Sequence, residues 1–207
     1  MTKGMILNQT CKGYYPRTLR RIKLVERILQ KINPATTLEI GCGDGNVIEH
    51  LEKYCVNIEG IEPSKEMVKV CKQKWLNVKQ GNIYEIEKAF PTKRFDCVLI
   101  LATLPHLPDI GLALLKAHWL LSENGWLIVS APNAFSSARI GQLAKFTEED
   151  YHYHFFEETT LKNLLVDSGF EVWGLHHIPN LFWNRILTIL NPVFCDDLLF
   201  VCKKVKQ

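Results

Sequence analysis

The residues best placed to do chemistry begin with three glycines at alternate positions. Gly41, Gly43 and Gly45 follow the apolar run Thr36 to Ile40 and precede the amphipathic stretch Val47 to Tyr54. That spacing predicts a buried strand, a tight turn and a helix start, with glycine where a side chain would strain the backbone or obstruct a ligand. A turn of this kind after a first strand suits a nucleotide-containing ligand at the carboxyl edge of a sheet. A P-loop needs GK followed by Ser or Thr, which this turn lacks. A dinucleotide fingerprint needs G-x-G-x-x-G, but Gly45 falls one place early and Asn46 holds the third glycine's position. The turn is also acidic, with Glu39 and Asp44, and Glu62 ends the next strand. A pyrophosphate favours helix N-termini free of extra negative charge. An acid at the spacing of Glu62 takes ribose hydroxyls. An adenosine carrying a cationic group therefore fits these acids better than a dinucleotide.

Three histidines supply a second kind of chemistry. His106, His152 and His154 are candidate general bases, because imidazole titrates near physiological pH. The bland alternative is that His152 braces its loop by hydrogen bonding. His152 and His154 would share a face in an extended strand, but no Cys or carboxylate completes a recognisable metal site. No metal is expected.

The elements that must position these groups alternate along the chain. Residues 1 to 16 read as an irregular arm with Tyr14 and Tyr15. Arg17 to Ile32 reads as an amphipathic helix, with Leu19, Ile22, Val25, Ile28, Leu29 and Ile32 at helical spacing. Its basic face (Arg17, Arg20, Arg21, Lys23, Arg27 and Lys31) is either solvated or a lid that binds anions. Strands are expected at Thr36–Gly41, Val56–Ile61, Leu76–Gln80, Phe95–Leu101 and Trp126–Ser130. Helices are expected from Pro63-Ser64 through Lys74 and over Ile110–Leu121, with a turn at Ser122-Glu123-Asn124-Gly125. This pattern predicts an α/β, doubly wound, mostly parallel sheet. Residues 134 to 156 read as irregular. A helix over Glu157–Ser168 follows, with Gly169 as its C-cap. Strands over Phe170–Ile178 and Asp197–Lys203 form a late hairpin, making a seven-stranded sheet with one antiparallel strand near the C-terminus. The apolar insert Pro179–Asp196, with Leu181, Phe182, Trp183, Ile186, Leu187, Ile189 and Leu190, lies at its tip. It packs on the domain or in a homodimer, lines an apolar acceptor site, or touches a membrane surface.

Composition sets the outer bounds. A chain of 207 residues is most simply one domain. Its net charge of +3 is too small to imply nucleic acid. The seven cysteines, at 11, 42, 55, 71, 97, 195 and 202, form no CxxC pair. A reducing cytoplasm suits them better than a disulfide scaffold. The N-terminus lacks the apolar region of a signal peptide, and no run reaches the length of a membrane span.

Glu39 to Gly45 reads ExGxGxG, and an acid ends the second strand. Together these resemble class I S-adenosylmethionine-dependent methyltransferases, with a Rossmann-like fold. Phe95-Asp96 is similar to the family's fourth motif. Thr103 to Asp109, TLPHLPD, resembles its "vLEHLpdp" segment, with Pro105 in place of an acid. SENGWLIVS (Ser122–Ser130) and Pro132-Asn133 resemble the segments that follow. His152-Tyr153-His154-Phe155-Phe156, then Leu161 to Phe170, resembles "HlrfFt…L..ll..aGF". That block points to the branch similar to ubiquinone-type O-methyltransferases and methionine-biosynthesis-associated methyltransferase-like proteins.

The resemblance implies S-adenosyl-L-methionine as cofactor. It implies that Glu39, Gly41, Cys42 and Gly43 hold the methionine end and that Glu62 accepts both ribose hydroxyls. Pro63 and Met67 would pack on the adenine. Asn82 and Ile83 occupy the "gDi" position, with Asn82 replacing the family's Asp, and its amide oxygen either takes the adenine amino hydrogen bond or serves a turn. Leu101 and Ala102 would face the sulfonium. The expected reaction is O-methylation of a small hydroxylated metabolite, apolar or lipid-linked acceptors included, by a cytoplasmic monomer or homodimer without nucleic acid. The competing readings are a protein or RNA methyltransferase and a non-catalytic cofactor-binding partner subunit. The expected organisation is one domain over 1–207: an arm and helix (1–33), a cofactor core (34–133), and an acceptor-side loop, helix and hairpin (134–207).

Overall fold

A computed structural model of the chain describes residues 16–54, 57–136, 152–179, 193 and 195–205. The expectations for the arm before residue 16, for 137–151 and for most of the apolar insert lie outside the described residues. The elements in chain order are α1 (Pro16–Ile32), β1 (Thr37–Ile40), α2 (Asn46–Leu51), β2 (Ile58–Glu62), α3 (Lys65–Gln73), β3 (Val78–Gln80), α4 (Ile86–Ala89) and β4 (Phe95–Leu101). They continue with α5 (Ile110–Leu120), β5 (Leu121–Pro132), α6 (Glu158–Asp167), β6 (Phe170–Ile178) and β7 (Asp197–Lys204).

The strands form one seven-stranded sheet in the order β3-β2-β1-β4-β5-β7-β6. Parallel pairs join β3 through β5, and β7 runs antiparallel between β5 and β6. The doubly wound sheet with one late antiparallel strand is therefore observed. The strand order reverses between β1 and β4, which opens a crevice at their carboxyl ends. β4, FDCVLIL, is buried almost throughout, as a strand covered on both faces must be. One apolar layer holds Val98, Ile100, Leu114 and Phe200, and the other holds Ile22, Leu29, Leu99 and Leu199.

Two expectations need correction. Ser122–Gly125 is not a free turn before the fifth strand, because β5 starts at Leu121, directly after α5. Its register with β4 shifts between Phe95↔Leu121 and Cys97↔Trp126, and the extra residues are taken up by a bulge with Asn124 at φ 61. Asn tolerates that left-handed conformation better than most residues. Second, the basic face of α1 is not uniformly solvated. Arg21 is buried, with its guanidinium 3.6 Å from the buried Asp197 at the start of β7. A buried charge needs such a partner, and this one ties α1 to the antiparallel strand.

Other sequence features prove to be braces. Asp96 accepts from the Thr36 backbone N–H (3.0 Å), the Thr36 hydroxyl (3.1 Å) and the Ser122 hydroxyl (3.1 Å), fastening the amino ends of β1, β4 and β5. Asn133 donates to the carbonyls of Val193 (2.7 Å) and Cys195 (2.9 Å), fixing the exit of β5 against the entry to β7.

Candidate functional site

The glycine turn sits at the carboxyl end of β1, beside the reversal in strand order. Gly41, Gly43 and Gly45 all have left-handed φ values, +71, +55 and +79. Gly41 is also confined by space, since a Cβ there would lie 2.5 Å from Thr103 Cγ2 and 2.7 Å from Thr103 Oγ1. The Thr103 hydroxyl needs that room, because it donates to the Ile40 carbonyl at 3.1 Å and so joins the ends of β1 and β4. Gly43 differs: a Cβ there would meet nothing within 4 Å.

Glu62 ends β2 and is buried. Its Oε2 accepts the Gly43 N–H at 2.9 Å, and its Oε1 accepts the Ser64 N–H at 3.0 Å. A surface acid placed only to favour the next helix would not be locked in this way. Each carboxylate oxygen retains acceptor capacity, so Glu62 stands fixed and able to take further donors.

These residues line a cavity of about 430 Å³. Of the residues expected to bind cofactor, Gly41, Gly43, Glu62, Pro63, Asn82, Ile83, Leu101 and Ala102 line it. Ala102 turns sharply out of β4 at φ 56, held by its N–H on the Ser130 carbonyl at 2.9 Å. A left-handed non-glycine residue costs of order 1–3 kcal/mol and persists only where its surroundings enforce it. Cys42 and Glu39 are buried within the loop's base rather than in the wall, and Met67 is half-buried at the start of α3.

Asn82 is the N-cap of a short turn over Ile83–Glu85. Its Oδ1 accepts from the Tyr84 N–H at 2.9 Å and the Glu85 N–H at 3.1 Å. Two backbone donors fix the oxygen inward, and both its lone pairs are used. The amide NH₂, a donor, is what remains for the cavity.

Glu39 is the most perturbed carboxylate of the site. Burial pushes its pKa up to about 8, the Asp44 and Glu62 charges add to this, and Arg21 opposes it. Its Oε2 has no hydrogen-bond partner among the described residues. Burial also raises the Cys42 thiol well above its usual range, so it is no nucleophile.

The histidines gather at the rim in part. His106 lines the cavity, and the His152 ring lies 4.6 Å from it, centroid to centroid. The pair is set by the Tyr153 N–H, which donates to the Pro105 carbonyl at 2.8 Å. His154 instead points its Nε2 at the Pro108 carbonyl, 3.4 Å away, and does not line the cavity. Among the described residues, no group of three His, Cys, Asp or Glu side chains is placed to hold a metal.

Sequence reasoning missed Thr103 and Arg21. Thr103 lay inside the TLPHLPD segment, but only its packing against Gly41 shows what it does. Arg21 was hidden among five other basic residues of its helix.

The strand order, the glycine turn and the fixed acid ending β2 define a class I S-adenosylmethionine-dependent methyltransferase domain. The residues fit that cofactor. The open space at Gly43 accommodates a ligand against the backbone, and the unpartnered oxygen of Glu39 suits a cationic one. A family described as "Methyltransferase domain" matches residues 13–175, and the chain belongs to it.

Its relatives include a ubiquinone biosynthesis O-methyltransferase of Bradyrhizobium diazoefficiens, 27% identical over 132 residues, covering 59% of this chain and 51% of the relative. Another of the same name, from Azorhizobium caulinodans, is 30% identical over 125 residues, covering 56% and 49%. The chain thus spans about half the length of the curated relatives it matches. A SAM-dependent methyltransferase from Archaeoglobus fulgidus has the same fold, with a TM-score of 0.68, 22% identity, and coverage of 88% of this chain and 94% of that one.

Proposed function

We propose that the chain transfers a methyl group from S-adenosylmethionine to a hydroxyl of a small metabolite, apolar or lipid-linked acceptors included. The observation that carries this reading is Glu62, held by two backbone N–H groups beside the glycine turn. It would accept the ribose hydroxyls. Gly41 and Gly43 would let the methionine end approach the backbone. Glu39 and Cys42 would support that end from below, with Glu39 drawing the cationic amino group. Pro63, Ile83 and Met67 would pack around the adenine, and the Asn82 amide would meet it as a donor. Leu101 and Ala102 would face the reacting centre.

When bound, S-adenosylmethionine supplies a methyl carbon already activated by positive sulfur. The chain must then align the acceptor, and orientation alone is worth about 7–11 kcal/mol in well-placed reactions. A hydroxyl acceptor must also lose a proton. His106 and His152, which meet edge to face at the rim, are the groups proposed to take it, with His154 bracing the loop. The names of the relatives support oxygen as the acceptor atom. No helix among the described residues is long and apolar enough to cross a membrane. Among the described residues, the cysteines at 42, 71, 97, 195 and 202 are buried thiols outside any disulfide, which supports a reducing, cytoplasmic setting for a single methyltransferase domain. A monomer or homodimer, with peripheral membrane contact through 179–196, completes the reading.

Calorimetry with S-adenosylmethionine and S-adenosylhomocysteine tests the cofactor assignment, and absence of binding by both removes it. An acceptor panel, scored by mass spectrometry for a gain of one methyl group, tests the reaction. His152→Ala should lower turnover while leaving the affinity for S-adenosylhomocysteine unchanged. Binding without turnover on any acceptor would favour a partner-subunit role.

A further inference from the structure

A second cavity lies on the other side of the molecule's working edge. It has a volume of about 400 Å³ and is walled by α1 on one side and by β5, β6 and β7 on the other. None of its lining residues lines the cofactor cavity. Trp126, one of its walls, lies four residues back along β5 from Ser130, which holds Ala102. By strand rise that is about 13 Å toward the opposite edge of the sheet.

The aromatic part of the wall is built. The rings of Trp126 and Trp173 meet edge to face, with centroids 5.4 Å apart at 82°. The Trp173 indole N–H donates to Glu171 Oε2 at 2.9 Å, which fixes its ring. Trp173 is nonetheless 62% exposed, an unusual state for the largest apolar side chain. Gly174, next to it, sits where the register of β6 against β7 shifts. Its φ is not left-handed, and an added Cβ would meet nothing closer than 3.8 Å. Glycine suits the bulge there, and its lack of a side chain also keeps the wall open.

The charged part is one-sided. Arg27 and Lys31 line the cavity four residues apart on α1, where like charges repel. Lys203 places its Nζ 4.1 Å from the Trp126 ring centroid and 5.9 Å from that of Trp173. His176, also in the wall, is held below the usual imidazole range by burial first, then by His177 and Lys31. Glu171 lies opposite Lys203 in the register of β6 against β7, and its Oε2 accepts from the Trp173 indole, so the excess positive charge at the cavity rests on Arg27 and Lys31. An anion in the cavity would relieve the repulsion between Arg27 and Lys31, and a flat ring would complete the tryptophan corner.

We propose that this cavity binds a flat organic anion, an aromatic ring system carrying a carboxylate or comparable acid. The volume falls within the ~300–1,000 Å³ typical of small-molecule sites. The site is independent of the methyl-transfer reading, since its residues take no part in it.

The test is an NMR titration of 2-naphthoate into the full chain with ¹⁵N-labelled tryptophans, saturated with S-adenosylhomocysteine. The indole signals of Trp126 and Trp173 should shift together and saturably, while those of Trp75 and Trp119 stay in place. Neutral 2-naphthalenemethanol should bind about tenfold more weakly, as the loss of one charge-assisted contact predicts. Arg27→Gln with Lys31→Gln, both exposed positions, should weaken 2-naphthoate by a similar factor while leaving the affinity for S-adenosylhomocysteine unchanged. Gly174→Val should abolish the shifts by filling the wall. Unmoved Trp126 and Trp173 signals would overturn the proposal. So would equal binding of the neutral analogue, or indole broadening that depends on protein concentration alone and places a second copy in the cavity.

Discussion

Replacing Glu62 by Gln changes one atom and should weaken the site in two measurable ways. In the native chain both carboxylate oxygens accept backbone N–H groups, from Gly43 at 2.9 Å and Ser64 at 3.0 Å. Gln keeps the shape but turns one acceptor into an NH₂, so a donor faces a donor. An unsatisfied buried N–H costs about 1–3 kcal/mol, and that should appear as lost stability in urea denaturation. Hydrogen bonds to a charged acceptor are worth about 1.5–3 kcal/mol each, against about 0.5–1.5 for neutral pairs. Two ribose hydroxyls would therefore lose about 2–3 kcal/mol together, or about 30–150-fold in affinity. Isothermal calorimetry with S-adenosylhomocysteine measures this directly. A Kd within about threefold of wild type, under 0.7 kcal/mol by the same conversion, would refute the ribose assignment. It would do so even if the stability loss appeared, because that loss reports only the loop.

The two glycines of the turn should separate fold from binding. Gly41→Ala meets Thr103 at 2.5 Å and should lower the melting temperature sharply, whereas Gly43→Ala costs only about 1 kcal/mol of backbone strain but should reduce S-adenosylhomocysteine affinity, since its methyl enters the cavity. Asn82→Asp keeps one oxygen for the Tyr84 and Glu85 N–H groups and adds a second acceptor, so calorimetry should show several-fold tighter binding. Glu39 has a folded pKa of about 8, raised from an ordinary 4.5. The folded chain therefore keeps a proton that the unfolded chain gives up, and the resulting stability is full below about pH 4.5 and is lost as pH rises to about 8. Glu39→Gln should flatten that decline in denaturation curves taken at pH 5 and pH 8. Cofactor binding near pH 7 should release a proton from Glu39, visible as a dependence of binding heat on the buffer's ionisation enthalpy.

The parts of this site that could be read in advance are those where one residue type has one physical use. Left-handed glycines, an apolar run too long for a half-exposed strand, and an acid at a strand end each leave a pattern along the chain. β4 and β6 have the expected bounds because β4 is continuously apolar and β6 is bracketed by Gly169 and Pro179. The turn at Ser122–Gly125 was misplaced because a bulge within a strand uses the same Asn-Gly chemistry as a free turn. Arg21 and Asn82 were harder, since what each does depends on a partner's position. Arg21 is buried because Asp197, far along the chain, arrives beside it. The Asn82 oxygen is consumed because Tyr84 and Glu85, two and three residues on, turn their N–H groups toward it.

The placing of β7 between β5 and β6 has a consequence for how the chain folds. The parallel strands through β5 can associate without it, but Trp126 to Pro132 pair only with Lys203 to Asp197 on that side of the sheet. Closing so long a loop is slow relative to local pairing. Until it closes, β5 presents a bare, apolar hydrogen-bonding edge that another chain's strand can occupy. Refolding yield should therefore fall with protein concentration during the docking of β7, and a slower arrival of this one hairpin would turn a folding delay into association between molecules.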